Sequence, residues 1–338
     1  MEWSAEIDSP RATSRIAAFG GLVLLWCGCV TLGWSTAARA QVAPLTRPAA
    51  SDSGYRDPAQ FRRSMERASE LSYVTMGGRQ GLSGKVLFEA NVAPHLYAFW
   101  DRVAIELTPK ILVRMLADSS YTVRGPSYMP RATLHLRRRH EVFGGEVLPD
   151  TIAEVFSFTF SHHSNGQGGP FYVPGSPRTI NTESGSFTTN FVEISFTEFS
   201  RGKRASSSSV GLRVHLTLNE TGALRETGTS RDQYGRYRLF GTSQGRVPFT
   251  LGRWPMNSNI AFAWQYVLDR QYGTTKYIAL ERVNFSVSYL VLPEILRETG
   301  LYVQYYSGQD YYNILYKSRL NSVRVGVALS TGNHLRNY

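Results

Sequence analysis

The stretch Phe156-Ser157-Phe158-Thr159-Phe160-Ser161-His162-His163-Ser164-Asn165-Gly166-Gln167 alternates aromatic and small polar residues, then ends in a base and a nucleophile. On a strand, successive side chains point to opposite faces. Phe156, Phe158, Phe160, His162 and Ser164 therefore share one side, and Val155, Ser157, Thr159, Ser161 and His163 the other. In a water-soluble sheet the aromatic side is core, and an imidazole and a hydroxyl buried there cost about 1–3 kcal/mol each unless hydrogen-bonded. If that side faces lipid instead, the same Ser and His meet only a membrane substrate.

The rest of the chain favours lipid. Val210, Leu212, Val214, Leu216 and Leu218 oppose Gly211, Arg213, His215, Thr217 and Asn219. Val283, Phe285, Val287 and Tyr289 oppose Arg282, Asn284, Ser286 and Ser288, and Val323, Val325, Val327 and Leu329 oppose Arg324, Gly326 and Ala328. One face is apolar while the other holds charges, the pattern of a transmembrane barrel whose lipid-facing and lumen-facing residues alternate. Nineteen tyrosines, among them Tyr272, Tyr277, Tyr289, Tyr302, Tyr305, Tyr306, Tyr311, Tyr312 and Tyr316, fit girdles at the two membrane interfaces. Eleven segments alternate, near 83–92, 102–115, 131–140, 152–163, 187–199, 209–219, 233–241, 259–269, 276–290, 300–307 and 321–330. Bacterial barrels take an even number. The expectation is an all-β, antiparallel transmembrane β-barrel of 12 strands, the missing one lying near 244–252 or fused within 102–115. Ser206 to Ser209 reads as a loop.

The start of the chain has a different texture. Arg11 and Arg15 precede the apolar run Ile16 to Leu32, and Ala38-Arg39-Ala40 supplies a small-x-small cleavage pattern before Gln41. Residues 1–40 read as a signal peptide, 41–80 as a flexible N-terminal segment with a short helix near Ala59 to Leu71, and 81–338 as the outer-membrane barrel. Cys27 and Cys29 both fall in the leader, so the mature chain has no cysteine. Export without disulfides suits the bacterial periplasm or outer membrane better than a disulfide-stapled secreted domain. The net charge of +11 survives processing, because Glu2, Glu6 and Asp8 balance Arg11, Arg15 and Arg39. The densest basic cluster, His135-Leu136-Arg137-Arg138-Arg139-His140, lacks aromatic interleaving and reads as a solvated strand end rather than a nucleic-acid surface.

The spacing His162-x-Ser164 places a base and a nucleophile at i and i+2 on one strand face. Serine needs a neighbouring base to become a nucleophile, and His163 points the wrong way to serve. Asn190 is the candidate to orient the imidazole, since Ser186, Thr188, Asn190, Val192, Ile194 and Phe196 form one face of the next strand with the same polar-to-apolar order. A neutral amide avoids the desolvation cost of a carboxylate near lipid.

His162-His163-Ser164-Asn165-Gly166-Gln167 resembles the H-x-S-N-G signature of the outer-membrane phospholipase A family, and Ser186-Phe187-Thr188-Thr189-Asn190 is similar to its S-x-S-x-N. Arg124-Gly125-Pro126-Ser127-Tyr128-Met129-Pro130 resembles its R-E-T-N-Y-x-P, and Tyr302 to Gly308 with Arg324-Val325-Gly326-Val327 resembles its final hairpin. The resemblance implies a twelve-stranded, calcium-dependent phospholipase, active as a homodimer on membrane phospholipid. It assigns Ser164 as nucleophile, His162 as base, Asn190 as orienter and the Gly166 N–H as an oxyanion donor. It assigns calcium to the Gln167 carbonyl, Ser186 and a partner copy's equivalent of Ser120, with Ser119 competing because S-S-P-F-R is one residue longer here. The segment between Gly166 and Asn190 departs from the family, with an insertion rich in Ser, Thr and Pro that lacks the family's loop carboxylate. Two rival readings remain, a lipid A deacylase and a porin-like or structural barrel without activity.

Overall fold

Backbone groups in lipid must all be hydrogen-bonded within the protein, and alternating strands achieve this only by closing on themselves. The computed structural model describes residues 58–77, 86–117, 123–138, 151–200, 206–216, 234–247, 249–251, 254–269, 282–293 and 299–329. In chain order the elements begin with helix α1 (Pro58–Ala68), β1 (Ser72–Met76), β2 (Val86–Val92), β3 (Leu96–Phe99), β4 (Val103–Leu116), β5 (Ser127–Arg137) and β6 (Thr151–Ser164). They continue as β7 (Tyr172–Val173), β8 (Ser176–Ile180), β9 (Thr188–Ser200), β10 (Ser206–Leu216), β11 (Tyr237–Arg246) and β12 (Phe249–Leu251). The last four are β13 (Trp254–Val267), β14 (Val283–Pro293), β15 (Thr299–Gln309) and β16 (Arg319–Leu329).

Twelve strands form a closed antiparallel ring in the order β1, β2, β4, β5, β6, β9, β10, β11, β13, β14, β15, β16, and β1 pairs with β16 to shut it. β3 continues the line of β2 along β4, and β12 continues the line of β11 along β13. β7 and β8 form a separate hairpin.

The ring is apolar outside and polar within. Phe156 and Phe158 are each 44% exposed, whereas Ser157 and Thr159 between and beside them are buried. Val323 and Val325 are more than half exposed and flank Arg324, which is 1% exposed. The chain is thus a multi-span barrel of the outer-membrane type. One outcome follows from the pleat: Val325→Lys on the outer face should cost about 2–4 kcal/mol of stability, while Ser288→Lys, facing the central cavity, should cost far less. Equal effects in detergent unfolding would mean that the faces are assigned wrongly.

The missing twelfth strand is β1, inside the stretch expected to be flexible, and neither 244–252 nor 102–115 hides it. Five residues are too few to register as a period. Ser206–Ser209 is strand rather than loop: Ser208 and Ser209 hydroxyls bond to Ser243 (3.2 Å) and Thr242 (2.6 Å) of β11. The tyrosine girdle is only partly real. Tyr305 faces outward at 39% exposure, but Tyr302, Tyr312 and Tyr316 are buried, and Tyr306 and Tyr311 line the lumen; Tyr272 and Tyr277 lie outside the described residues. The basic cluster divides similarly, since His135 and Arg137 are buried inside the ring while Arg138 is exposed.

The lumen is filled at one end by α1, whose Phe61 and Met65 pack on Ala104, Ala153, Val155 and Phe199. Just beyond the helix, Glu70 accepts from Arg131 Nη2 at 2.7 Å and from Lys110. Further in, Glu89 is fully buried and takes Arg114 Nε and Nη2 (3.0 and 2.9 Å), Arg324, and the hydroxyls of Tyr73 (2.9 Å) and Tyr311 (2.8 Å). Arg114 Nη1 also donates to both oxygens of Asp310 at 2.9 Å. Two inward tyrosines, Tyr73 and Tyr311, therefore serve as hydroxyl donors to the buried Glu89 carboxylate. Between these groups remains a cavity of about 510 Å³.

Candidate active site

The site sits at the end of the ring away from α1, where β6 and β9 run out of apolar residues together. Their register sets His162 opposite Asn190 and Ser164 opposite Thr188. Asn190 is fully buried, and its Oδ1 accepts from His162 Nδ1–H at 2.8 Å. That bond fixes the tautomer and leaves the lone pair on Nε2. Ser164 lies two residues along on the same outward face, half-buried like His162. Among the described residues no hydrogen bond joins its Oγ to the ring. His163 is buried on the lumen side, edge-on to Phe187 with centroids 5.1 Å apart. The structure thus brings His162 and Ser164 to one patch of the outer surface, with Asn190 buried against the His162 ring, and turns His163 away from it.

The backbone beyond Ser164 is held by a residue whose role the motif alone did not reveal. Asn165 is buried; its Nδ2 donates to Gly185 O (2.8 Å), and its Oδ1 accepts from Gln167 N (3.2 Å) and Phe187 N (2.9 Å). One side chain thereby fastens the 165–167 turn to the 185–187 turn. An Asn beside a Gly is a turn signal in sequence, which conceals that it also bridges two loops. Gly166 has φ +64°, and a Cβ there would lie 3.1 Å from the Tyr128 ring, so the position suits glycine on two counts. Tyr128 itself pairs with Ser164 across from β5.

The insertion between Gly166 and Asn190 folds as the β7–β8 hairpin. Its base is tied by Gly169 N to Ser184 O (3.0 Å) and Ser186 N to Gly169 O (2.9 Å), while Phe171 and Ile180 pack on the cluster of Phe187, Tyr234, Ile314 and Tyr316. Gln167 and Ser186, two of the expected calcium donors, therefore stand on adjoining loop segments. Ser119 and Ser120 lie outside the described residues. No group of three or more His, Cys, Asp or Glu poised for a metal occurs among the described residues.

No protein-family model and no curated sequence matches the chain. Solved structures do. An active-site mutant of outer membrane phospholipase A from Escherichia coli aligns at 13% identity over 77% of this chain and 90% of that one, with a TM-score of 0.50. The fold is that of an outer-membrane phospholipase-like barrel. The parent E. coli enzyme aligns at 14% identity over 77% and 96% of the two chains, TM-score 0.49. A Salmonella typhi outer membrane phospholipase dimer with bound calcium gives 14%, 77%, 90% and 0.48. At such identities the likeness is one of fold, and any chemistry must be argued from the residues of this chain.

Proposed function

We propose that the chain hydrolyses acyl esters of glycerophospholipid on the lipid-facing surface of its barrel, with calcium and as a homodimer. The observation carrying this reading is the His162–Asn190 hydrogen bond, placed beside Ser164 at the edge of the outward apolar belt. A polar pair of this kind has little structural use on a face that meets lipid, whereas an ester at the glycerol level of a bilayer reaches it directly.

In this reading Ser164 Oγ attacks the ester carbonyl carbon as His162 Nε2 takes its proton. Asn190 holds the ring and stabilises the charged imidazolium less than a carboxylate does. The Gly166 N–H receives the oxyanion. His162 then returns the proton to the departing glycerol oxygen, and a water, activated by the same nitrogen, releases the fatty acid and restores Ser164.

The donors present suit calcium in kind. A Gln167 carbonyl and a Ser186 hydroxyl are hard oxygens, and a site built from uncharged oxygens holds the ion weakly. Bound there, calcium would polarise the ester carbonyl. A ligand drawn from a partner copy links ion binding to dimerisation, each favouring the other by the same free energy. The filled lumen, with α1 and the Glu89 cluster inside it, weighs against the porin-like reading, and Asn190 in place of a carboxylate weighs against a lipid A deacylase.

The test is ester release from phospholipid in detergent micelles, with calcium and with chelator, alongside mass by analytical ultracentrifugation. Hydrolysis in calcium and its loss in chelator, together with dissociation, is the expected result. Full activity in chelator removes calcium and the dimer from the mechanism. No hydrolysis in either condition leaves the inactive barrel.

A further inference from the structure

Between β15 and β16 the chain makes a buried turn, Asp310 to Ser318, containing a 3-10 helix at Asn313–Lys317. Within it Asn313 has φ 35°, the one positive value at a non-glycine among the described residues. Its side chain is 4% exposed and saturated with bonds. Nδ2 donates to Ser127 Oγ (3.0 Å) and Gly125 O (3.2 Å), and Oδ1 accepts from Ile314 N (2.6 Å). An L-residue held in the left-handed region at a buried site is retained where its surroundings over-determine it, and such residues cluster at functional sites.

The turn touches each loop that bears a piece of the candidate site. Tyr312 Oη donates to Arg124 O at 3.3 Å, while the Asn313 amide grips residues 125–127. Gly125 in turn lies directly under the Gln167 side chain, since a Cβ at 125 would stand 2.6 Å from Gln167 Nε2. Ile314 presses on Gly185, where a Cβ would come within 2.9 Å of its Cδ1, and the Tyr316 ring lies 6.0 Å from that of Phe187. Behind the turn, Asp310 is anchored by Arg114, and Tyr312 Oη accepts from Arg114 N at 3.1 Å. The segments 124–127, 165–167 and 185–187 thus share one support, reached from inside the barrel and clear of the outer face where Ser164 lies.

We propose that Asn313 is a positioning residue for the hydrolytic site, setting from the lumen side the spacing between the Gly166–Gln167 turn and Ser186. The proposal rests on the hydrolase reading above. The side-chain amide acts by fixing residues 125–127, and its backbone conformation directs Ile314 onto Gly185. Neither group touches substrate.

Two substitutions separate backbone from amide. Asn313→Gly keeps the left-handed conformation at no steric cost and deletes the amide. Asn313→Asp keeps an acceptor for Ile314 N and removes both N–H donors. Ser127→Ala, which leaves the turn intact and takes away one acceptor, is the milder third variant. In each, the barrel keeps its folded, heat-resistant mobility on gels. Backbone hydrogen exchange at Gln167 and Phe187, whose N–H groups donate to Asn165 Oδ1, accelerates while β15 and β16 stay protected. The turnover number falls by about 10–100-fold in the Asn313 variants with little change in KM, and half-maximal activity needs more calcium. Unchanged exchange at those two amides in both Asn313→Gly and Ser127→Ala overturns the proposal. So does faster exchange with the wild-type turnover number. A wild-type barrel that releases no fatty acid removes the hydrolase reading instead, and the exchange rates then judge by themselves whether the turn holds the loops.

Discussion

Ser164→Ala and His162→Ala are each expected to lower ester hydrolysis by at least about a thousandfold while leaving the barrel folded, because the members of a catalytic unit fail together. Neither side chain carries a ladder bond, and both lie on the outer surface, so unfolding in detergent should match wild type. Asn190→Ala should be milder, a loss on the order of a hundredfold, since nucleophile, base and oxyanion donor all survive it. His163→Ala should leave turnover within a few-fold of wild type and lower stability instead, through the lost packing on Phe187. An inactive His163→Ala beside an active His162→Ala would mean that β6 presents its other face to lipid, a one-residue error in register.

The second large effect is thermodynamic. Glu89 and Asp310 face Arg114 and Arg324 in a cluster whose two negative and two positive charges cancel. Glu89→Leu leaves both guanidiniums buried against a single carboxylate, and breaking a buried ion cluster this way costs about 3–5 kcal/mol. Glu89→Gln should fall between, keeping acceptors for Tyr73 and Tyr311 while losing the charge. Chemical unfolding of the purified barrel in detergent measures both. A Glu89→Leu protein within about 1 kcal/mol of wild type would show that water compensates the two guanidiniums as well as the Glu89 carboxylate does.

The outer surface was legible in the sequence because lipid enforces it residue by residue. Phe156, Phe158, Val323 and Val325 each had to be apolar, and their period of two identified the strands and the side on which His162 and Ser164 would emerge. The lumen imposes no comparable rule. Its polar residues are matched to partners far away in the chain, so nothing local in Glu89, Arg114, Tyr311 or Arg324 announces that they meet. For the same reason five tyrosines of the last hairpin read as interface residues when they point inward. Length concealed β1, and the helix at 58–68, though visible as a short helical stretch, gave no sign that Phe61 and Met65 fill the barrel. At the site, His162 and Asn190 could be matched because two adjacent strands share one polar-to-apolar order. The bridges made by Asn165 and Asn313 could not, since an Asn in a turn looks alike whether it caps its own backbone or joins two others.

The five-residue length of β1 also bears on how the barrel forms. It meets β16 through five residue pairs, whereas β6 and β9 share thirteen. Joining β1 to β16 closes a loop of roughly 250 residues, and logarithmic scaling puts the entropic cost of that at about 5 kcal/mol. Hairpins elsewhere in the ring form from near neighbours and can zip early, so the β1–β16 joint is the slow, late event in folding and the first to part when the ring opens. Because β6 and β9 stand nearly opposite that joint, their pairing can form before the circle closes, whereas the loops beside Ser164 gain the support of the β15–β16 turn only as the last strands come into place.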